Sequence, residues 1–191
     1  VFLDTIKLKK QSHYQYFLFY KPKNCVTTMK DEIGRLCVGD FIANIQIGLF
    51  PVGRLDYDAE GLLLLTNDGD LAHKLLHPSF KVNKKYLVKF KGEFTDEKAD
   101  KIKTGIYIDK IKTAPAILEM IESKENIHTC YLTITQGLKN QIKIMFKSVG
   151  CNVKSLKRLT FGSLVLGKLK PGEYQKLSDS KIKELRKFAG I

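Results

Sequence analysis

Tryptophan is missing from this 191-residue chain, and arginine nearly so: 29 lysines stand beside four arginines. Cysteine is sparse too. Cys25, Cys37, Cys130 and Cys151 lie far apart with no CxxC pair, which argues against a disulfide framework and a zinc site and fits a reducing, cytoplasmic setting. No stretch approaches the ~20 consecutive apolar residues of a membrane span, so no membrane partner is expected. Internal repeats, low-complexity tracts and Pro/Gly/Ser linkers are all lacking. The opening Val1-Phe2-Leu3-Asp4 has neither an initiator Met nor a basic-then-apolar signal pattern. Residues 1–13 therefore read as a remnant or linker, with room for a further module before them.

What the chain does have is positive charge, a net +13. High pI alone decides little, but the distribution is uneven. Residues 139–191 carry 13 Lys/Arg against three acids, and residues 81–91 hold five lysines and no acid. Residues 51–70 run the other way, with five acids and one arginine. An acidic centre within a basic chain suggests a reactive site framed by a phosphate-binding surface. Nucleic acid fits better than a membrane surface, because the basic segments do not form one amphipathic helix with a bulky apolar face.

The patterning predicts strands at Tyr16–Tyr20, Leu49–Val52, Gly61–Thr66 and Lys84–Lys91. Further strands are predicted near 115–122, 128–135, 153–160 and 163–166. Helices are predicted over 38–45, 70–76 and 138–149, with another from Thr95 to Gly105 and a last one from Ser178 to Phe188. Ile142, Met145, Phe146 and Val149 fall at i, i+3, i+4, i+7, an apolar helix face. Without a regular βαβ alternation, the expected class is α+β, with a mixed, mostly antiparallel sheet flanked by helices.

The run Gly53-Arg54-Leu55-Asp56-Tyr57-Asp58-Ala59-Glu60-Gly61-Leu62-Leu63-Leu64-Leu65-Thr66-Asn67-Asp68-Gly69 resembles the catalytic-loop motif of pseudouridine synthases. Within them it is similar to the branch that modifies bacterial ribosomal RNA. Tyr16 to Thr28 with Lys21-Pro22, Lys85-Tyr86-Leu87-Val88, Gln136 to Met145, and the tail from Leu156 to Tyr174 resemble the family's other motifs in order. The resemblance implies the pseudouridine synthase fold over residues 14–191, with an active-site cleft across the sheet. It implies a monomer that binds ribosomal RNA, with no cofactor and no metal. The expected activity is isomerisation of a specific uridine, with 23S rRNA the expected target. The family often carries an N-terminal RNA-binding domain of the S4 type.

The chemistry agrees. Isomerising uridine breaks the C1′–N1 bond, turns the base and joins C1′ to C5, so neither a redox step nor group transfer arises. An ionised carboxylate is the candidate nucleophile or base, and Asp56 sits in a polar loop between two apolar strands, where a scaffold presents a reactive group. Arg54 stands out in a chain whose usual cation is lysine; the resemblance implies that it holds the RNA open around a flipped uridine. A loop ion pair with Asp58 or Glu60 is its alternative. Tyr86 is expected to stack on the uracil and Lys143 to keep Asp56 charged.

Lys139, Lys143 and Lys147, spaced by four, are expected to share one helix stripe. Lys84, Lys85, Lys139, Lys147, Lys157 and Arg158 complete the expected RNA-binding set. The third motif departs from the family pattern, since Leu138 and Ile144 replace two cations. His73 and His77 have a metal-ligand spacing but no third ligand nearby, so surface histidines are expected. Two rivals remain: a non-catalytic RNA-binding or ribosome-assembly protein of the same fold, and a synthase acting on 16S rRNA or tRNA.

Overall fold

The computed structural model describes residues 13–45 and 48–191, together with the backbone of a two-strand hairpin, β1 (Phe2–Leu3) and β2 (Ile6–Lys7). Apart from these strands and His13, the expected linker over 1–13 lies outside the described residues. The remaining elements, in order, are β3 (Tyr16–Lys21), α1 (Val38–Phe41), β4 (Phe50–Pro51), β5 (Glu60–Thr66), α2 (Gly69–Leu76), a 3-10 turn (Pro78–Phe80) and β6 (Lys84–Lys91). Then come α3 (Asp96–Thr104), β7 (Tyr107–Ile108), β8 (Ile111–Lys112), β9 (Ile117–Lys124), β10 (Ile127–Ile134), α4 (Gln141–Ser148), β11 (Asn152–Phe161), β12 (Leu164–Val165), β13 (Tyr174–Lys176) and α5 (Asp179–Phe188).

One nine-stranded sheet runs β13-β3-β5-β11-β6-β10-β9, with β12 on β11 and β4 on β5. Every pairing in it is antiparallel except β5 with β11, whose ladder holds only Lys157↔Glu60 and Arg158↔Gly61. The class is thus α+β with a mixed, mostly antiparallel sheet. Leu62 to Leu65 are fully buried, as expected for a strand covered on both faces. On one side of the junction α2 and α5 cover the β3–β5 half; on the other, α3 and α4 cover β6 and β10.

Gly61 makes the junction possible. It adopts φ +113°, and a Cβ there would lie 2.3 Å from the Arg158 carbonyl oxygen, so only glycine lets the two strands close up.

Two expectations need correction. The first helix stops at Phe41, well short of residue 45. The helix predicted over 138–149 starts only at Gln141, because Asn140 takes a left-handed φ of +53°; Lys139 is therefore outside the helix and shares no stripe with Lys143 and Lys147. The strand predicted near 153–160 is present as Asn152–Phe161, with register shifts between Val153/Ser155 and Arg158/Thr160.

Candidate active site

The loop between β4 and β5 is pinned at several points. Thr27 Oγ1 donates to the Leu55 carbonyl at 2.7 Å and accepts from its N–H at 3.2 Å. The Ala59 N–H donates to the Asp56 carbonyl at 3.1 Å, closing a turn across Tyr57 and Asp58. Leu55 and Ala59 are buried in the core under α4, so the loop is anchored by apolar side chains on either side of Asp56. What remains outward is polar: Arg54 and Asp58 are exposed and Asp56 is partly so.

Beneath the loop lies the fully buried Lys21, whose ammonium donates to the carbonyls of Cys25 at 2.7 Å and Pro22 at 2.9 Å and reaches toward that of Tyr57 at 3.5 Å. Burial pushes it down to about 8, against the opposing pull of Cys25, Asp58 and Asp56. In the sequence Lys21 reads only as part of the Lys21-Pro22 pair in the first motif. Its role as a tether between β3 and the loop is invisible there, because the carbonyls that hold it carry no sequence signature.

From the opposite wall, α4 presents Lys143. Its ammonium bonds Asp58 at 2.5 Å and stands 3.6 Å from Asp56. The expected partner of Asp56 is therefore near it but is hydrogen-bonded to Asp58. Burial pushes the Asp58 carboxyl up, but the Lys143 hydrogen bond and charge outweigh this and hold it below the usual carboxylate value. The pairing of acids two residues apart in a tight loop is the signal that could have found Asp58.

Asp56, Arg54 and Tyr86 line one cleft of about 70 Å³, walled by Ile134, Ile142 and Leu156. Gln141 shapes its rim by accepting from the Leu138 N–H at 3.0 Å. Leu138 and Ile144, the two departures from the cationic pattern, both pack against the same core. Tyr86 is 6% exposed and reaches the cleft from β6. Among the described residues Arg54 makes no ion pair: Asp58 is taken by Lys143, and Glu60 by Tyr20 and Lys23.

Alternation along β6 divides the expected RNA-binding residues. Lys84 shares the face of Tyr86. Lys85 turns to the other face, pairing with Glu119 at 3.2 Å over the Tyr131 ring, and Lys157 does the same, opposite Leu87 and over the Tyr20 ring. Lys139 and Lys147 are exposed near the cleft helix. Arg158 is only 2% exposed and lies on the Tyr86 face; it is an interior cation, contrary to the expectation of a surface one. His77 accepts from the Ser79 N–H as the cap of the 3-10 turn.

Residues 15–148 match the family model described as RNA pseudouridylate synthase. The chain belongs to this family. It is 40% identical over 176 residues to the ribosomal large subunit pseudouridine synthase B of Bacillus subtilis, covering 91% of this chain and 72% of that protein. An RNA pseudouridine synthase of Aquifex aeolicus, uncharacterised, is 33% identical over 183 residues, covering 95% and 74%. The crystal structure of a pseudouridylate synthase superposes with a TM-score of 0.83 at 34% identity, over 91% of this chain and 74% of that one. An archaeal box H/ACA Nop10–Cbf5 complex shares the fold, with a TM-score of 0.56 at 18% identity over 78% of this chain and 47% of that one. The enzyme class is thereby an isomerase, a pseudouridine synthase. Among the described residues no helix is long and apolar enough to cross a membrane.

Proposed function

We propose that this pseudouridine synthase isomerises a uridine of ribosomal RNA, with 23S rRNA the favoured target, and that Asp56 is its catalytic carboxylate. The observation that carries the reading is the convergence of Asp56, Arg54 and Tyr86 on one cleft from two different parts of the sheet, with the Lys143 ammonium 3.6 Å from the acid. The 40% identity to a named large-subunit enzyme supports the choice of RNA.

The geometry supports a role for each residue. The wall of Leu55, Ile134, Ile142 and Leu156 excludes water from one side of a base, and the Tyr86 ring offers a face for stacking. Asp56, at the edge of that wall, either attacks C1′ or the base or assists proton removal from the ribose. The C1′–N1 bond breaks, the base turns, C1′ bonds to C5, and the proton displaced from C5 is balanced by one gained at N1. Lys143 stabilises the negative charge on the loop while Asp56 reacts. Arg54, exposed and unpaired among the described residues, is free to meet a phosphate or an orphaned base as the uridine leaves its stack.

Asp56→Asn preserves shape and removes the charge. Pseudouridine formation on in vitro transcribed 23S rRNA should vanish while RNA binding, measured by filter retention, persists. Substantial product from the variant would sink the assignment.

A further inference from the structure

A second cavity, of about 240 Å³, adjoins the cleft and shares Arg54 and Tyr86 with it. Its lining also includes Lys84, Arg158 and Phe161, and no acidic side chain faces it among the described residues. The strand register explains how the cations arrive there. Arg158 lies opposite Tyr86, and Phe161 opposite Lys84. The bulge between Arg158 and Thr160 adds one residue, Leu159, which turns Phe161 back onto the Arg158 face. Arg158 and Lys84 thereby lie against the same ring, 5.4 and 5.7 Å from its centroid.

Among the described residues these cations meet no anion. Arg158 is 2% exposed, and its Nε donates to the Leu62 carbonyl at 2.7 Å, but Nη2 is buried with no acceptor. Lys84 donates to the carbonyls of Val82 and Thr135, at 2.9 and 3.2 Å. Burial pushes its ammonium down to about 8, and the charge of Arg158 pushes the same way. The ring of Phe161 offers each cation a weak attraction but no lone pair. A buried guanidinium with an unmet donor beside a second cation is an arrangement that folding alone does not favour; an anion between them would satisfy both.

We infer that this cavity is a subsite for one backbone phosphodiester of the RNA next to the uridine held at Asp56. The inference rests on reading the chain as an RNA-modifying enzyme. A phosphodiester has two non-bridging oxygens, one for the Arg158 fork and one for the Lys84 ammonium. Arg54, shared by both cavities, links this anchor to the reacting base. Such a contact positions the strand and carries no sequence information.

Two arms test it. In the first, inorganic phosphate is titrated into the 15N-labelled wild-type protein while the Arg158 Nε–H signal is followed. The signal should move, with saturation by about 10 mM for a site with a Kd near 1 mM. In the second, filter binding of a 23S rRNA transcript is measured against NaCl for wild type, Lys84→Met and Lys84→Arg. Lys84→Met should weaken binding roughly tenfold and reduce the log–log salt slope by about 0.7–0.9, and Lys84→Arg should restore most of both.

A motionless Arg158 signal overturns the subsite. So does a signal that moves with phosphate while Lys84→Met binds RNA like wild type, since the site would then take free anions only. Pseudouridine is assayed on the same transcript. If the slope falls as expected but no pseudouridine forms even with wild type, the phosphodiester subsite is upheld and the catalytic reading fails. If pseudouridine forms but the slope is unchanged, the subsite alone fails.

Discussion

The Lys143 ammonium stands 2.5 Å from Asp58 and 3.6 Å from Asp56, so it serves both acids of the loop unequally. Removing it as Lys143→Met leaves the two carboxylates of the loop with only the buried Lys21 ammonium nearby, and destabilises the charge on which the proposed chemistry depends. The single-turnover rate on 23S rRNA should fall at least ~10-fold, the equivalent of about 1.4 kcal/mol in the barrier. Lys147, exposed one turn along α4, is a control of a different kind. Lys147→Met should weaken RNA affinity by an amount typical of a single exposed charge, under about 1 kcal/mol. Equal losses of rate in the two variants would show that Lys143 has no special part in the reaction. At this scale the sequence was informative where a residue type was out of place, as with Arg54 among lysines. It did not show that Lys21 and Arg158 are interior, since Lys21 is held by nearby loop carbonyls that carry no sequence signature and Arg158 by a carbonyl 96 residues away.

Helix α5 is fixed to the sheet by one polar cluster. Arg186 pairs with the buried Asp68 and donates to the Tyr16 hydroxyl at 2.7 Å, while Tyr16 donates to Asp68 at 2.6 Å. Asp68 also caps α2 by accepting from the Leu71 N–H at 3.1 Å. One carboxylate thus orients two helices against β3. Asp68→Ala strands the Arg186 cation and the α2 terminus together, and breaking a buried pair in this way costs about 3–5 kcal/mol. Urea denaturation should show a loss of that size, and Arg186→Met should lose a comparable amount because it leaves the buried Asp68 carboxylate without its cation. Elements of this kind were partly legible. The strands 16–21, 60–66 and 84–91 follow directly from their apolar runs and alternation. The pairs β7–β8 and the short β13 escaped, because two or three residues carry no period, and α4 was drawn too early because the left-handed Asn140 looks like any polar helix residue.

At the scale of the whole molecule, buried ionisable groups set how stability responds to pH. Lys21 and Lys84 are both lowered to about 8 from 10.5. Above pH 8 the unfolded chain holds protons that the folded one has released at these sites, so stability rises with pH there. Cys25 and Cys130 act oppositely: burial raises them from 9 to about 11 and about 12, so beyond pH 9 the folded thiols stay protonated while unfolded ones ionise, and stability is lost. Urea midpoints should therefore climb from pH 8 to about 9, and Lys21→Met should flatten that climb; an unchanged slope in the variant would refute the assignment to Lys21. The meeting of β5 and β11 has a further consequence, in time. The Arg158–Leu62 hydrogen bond joins residues 96 positions apart, so the two walls of the cleft cannot meet until β11 has been made and has left the ribosome. Closing so long a loop is slow relative to local helix formation. The half-sheet built on β3 and β5 must therefore wait for a strand made much later, and the enzyme gains a complete pocket only once β11 has emerged.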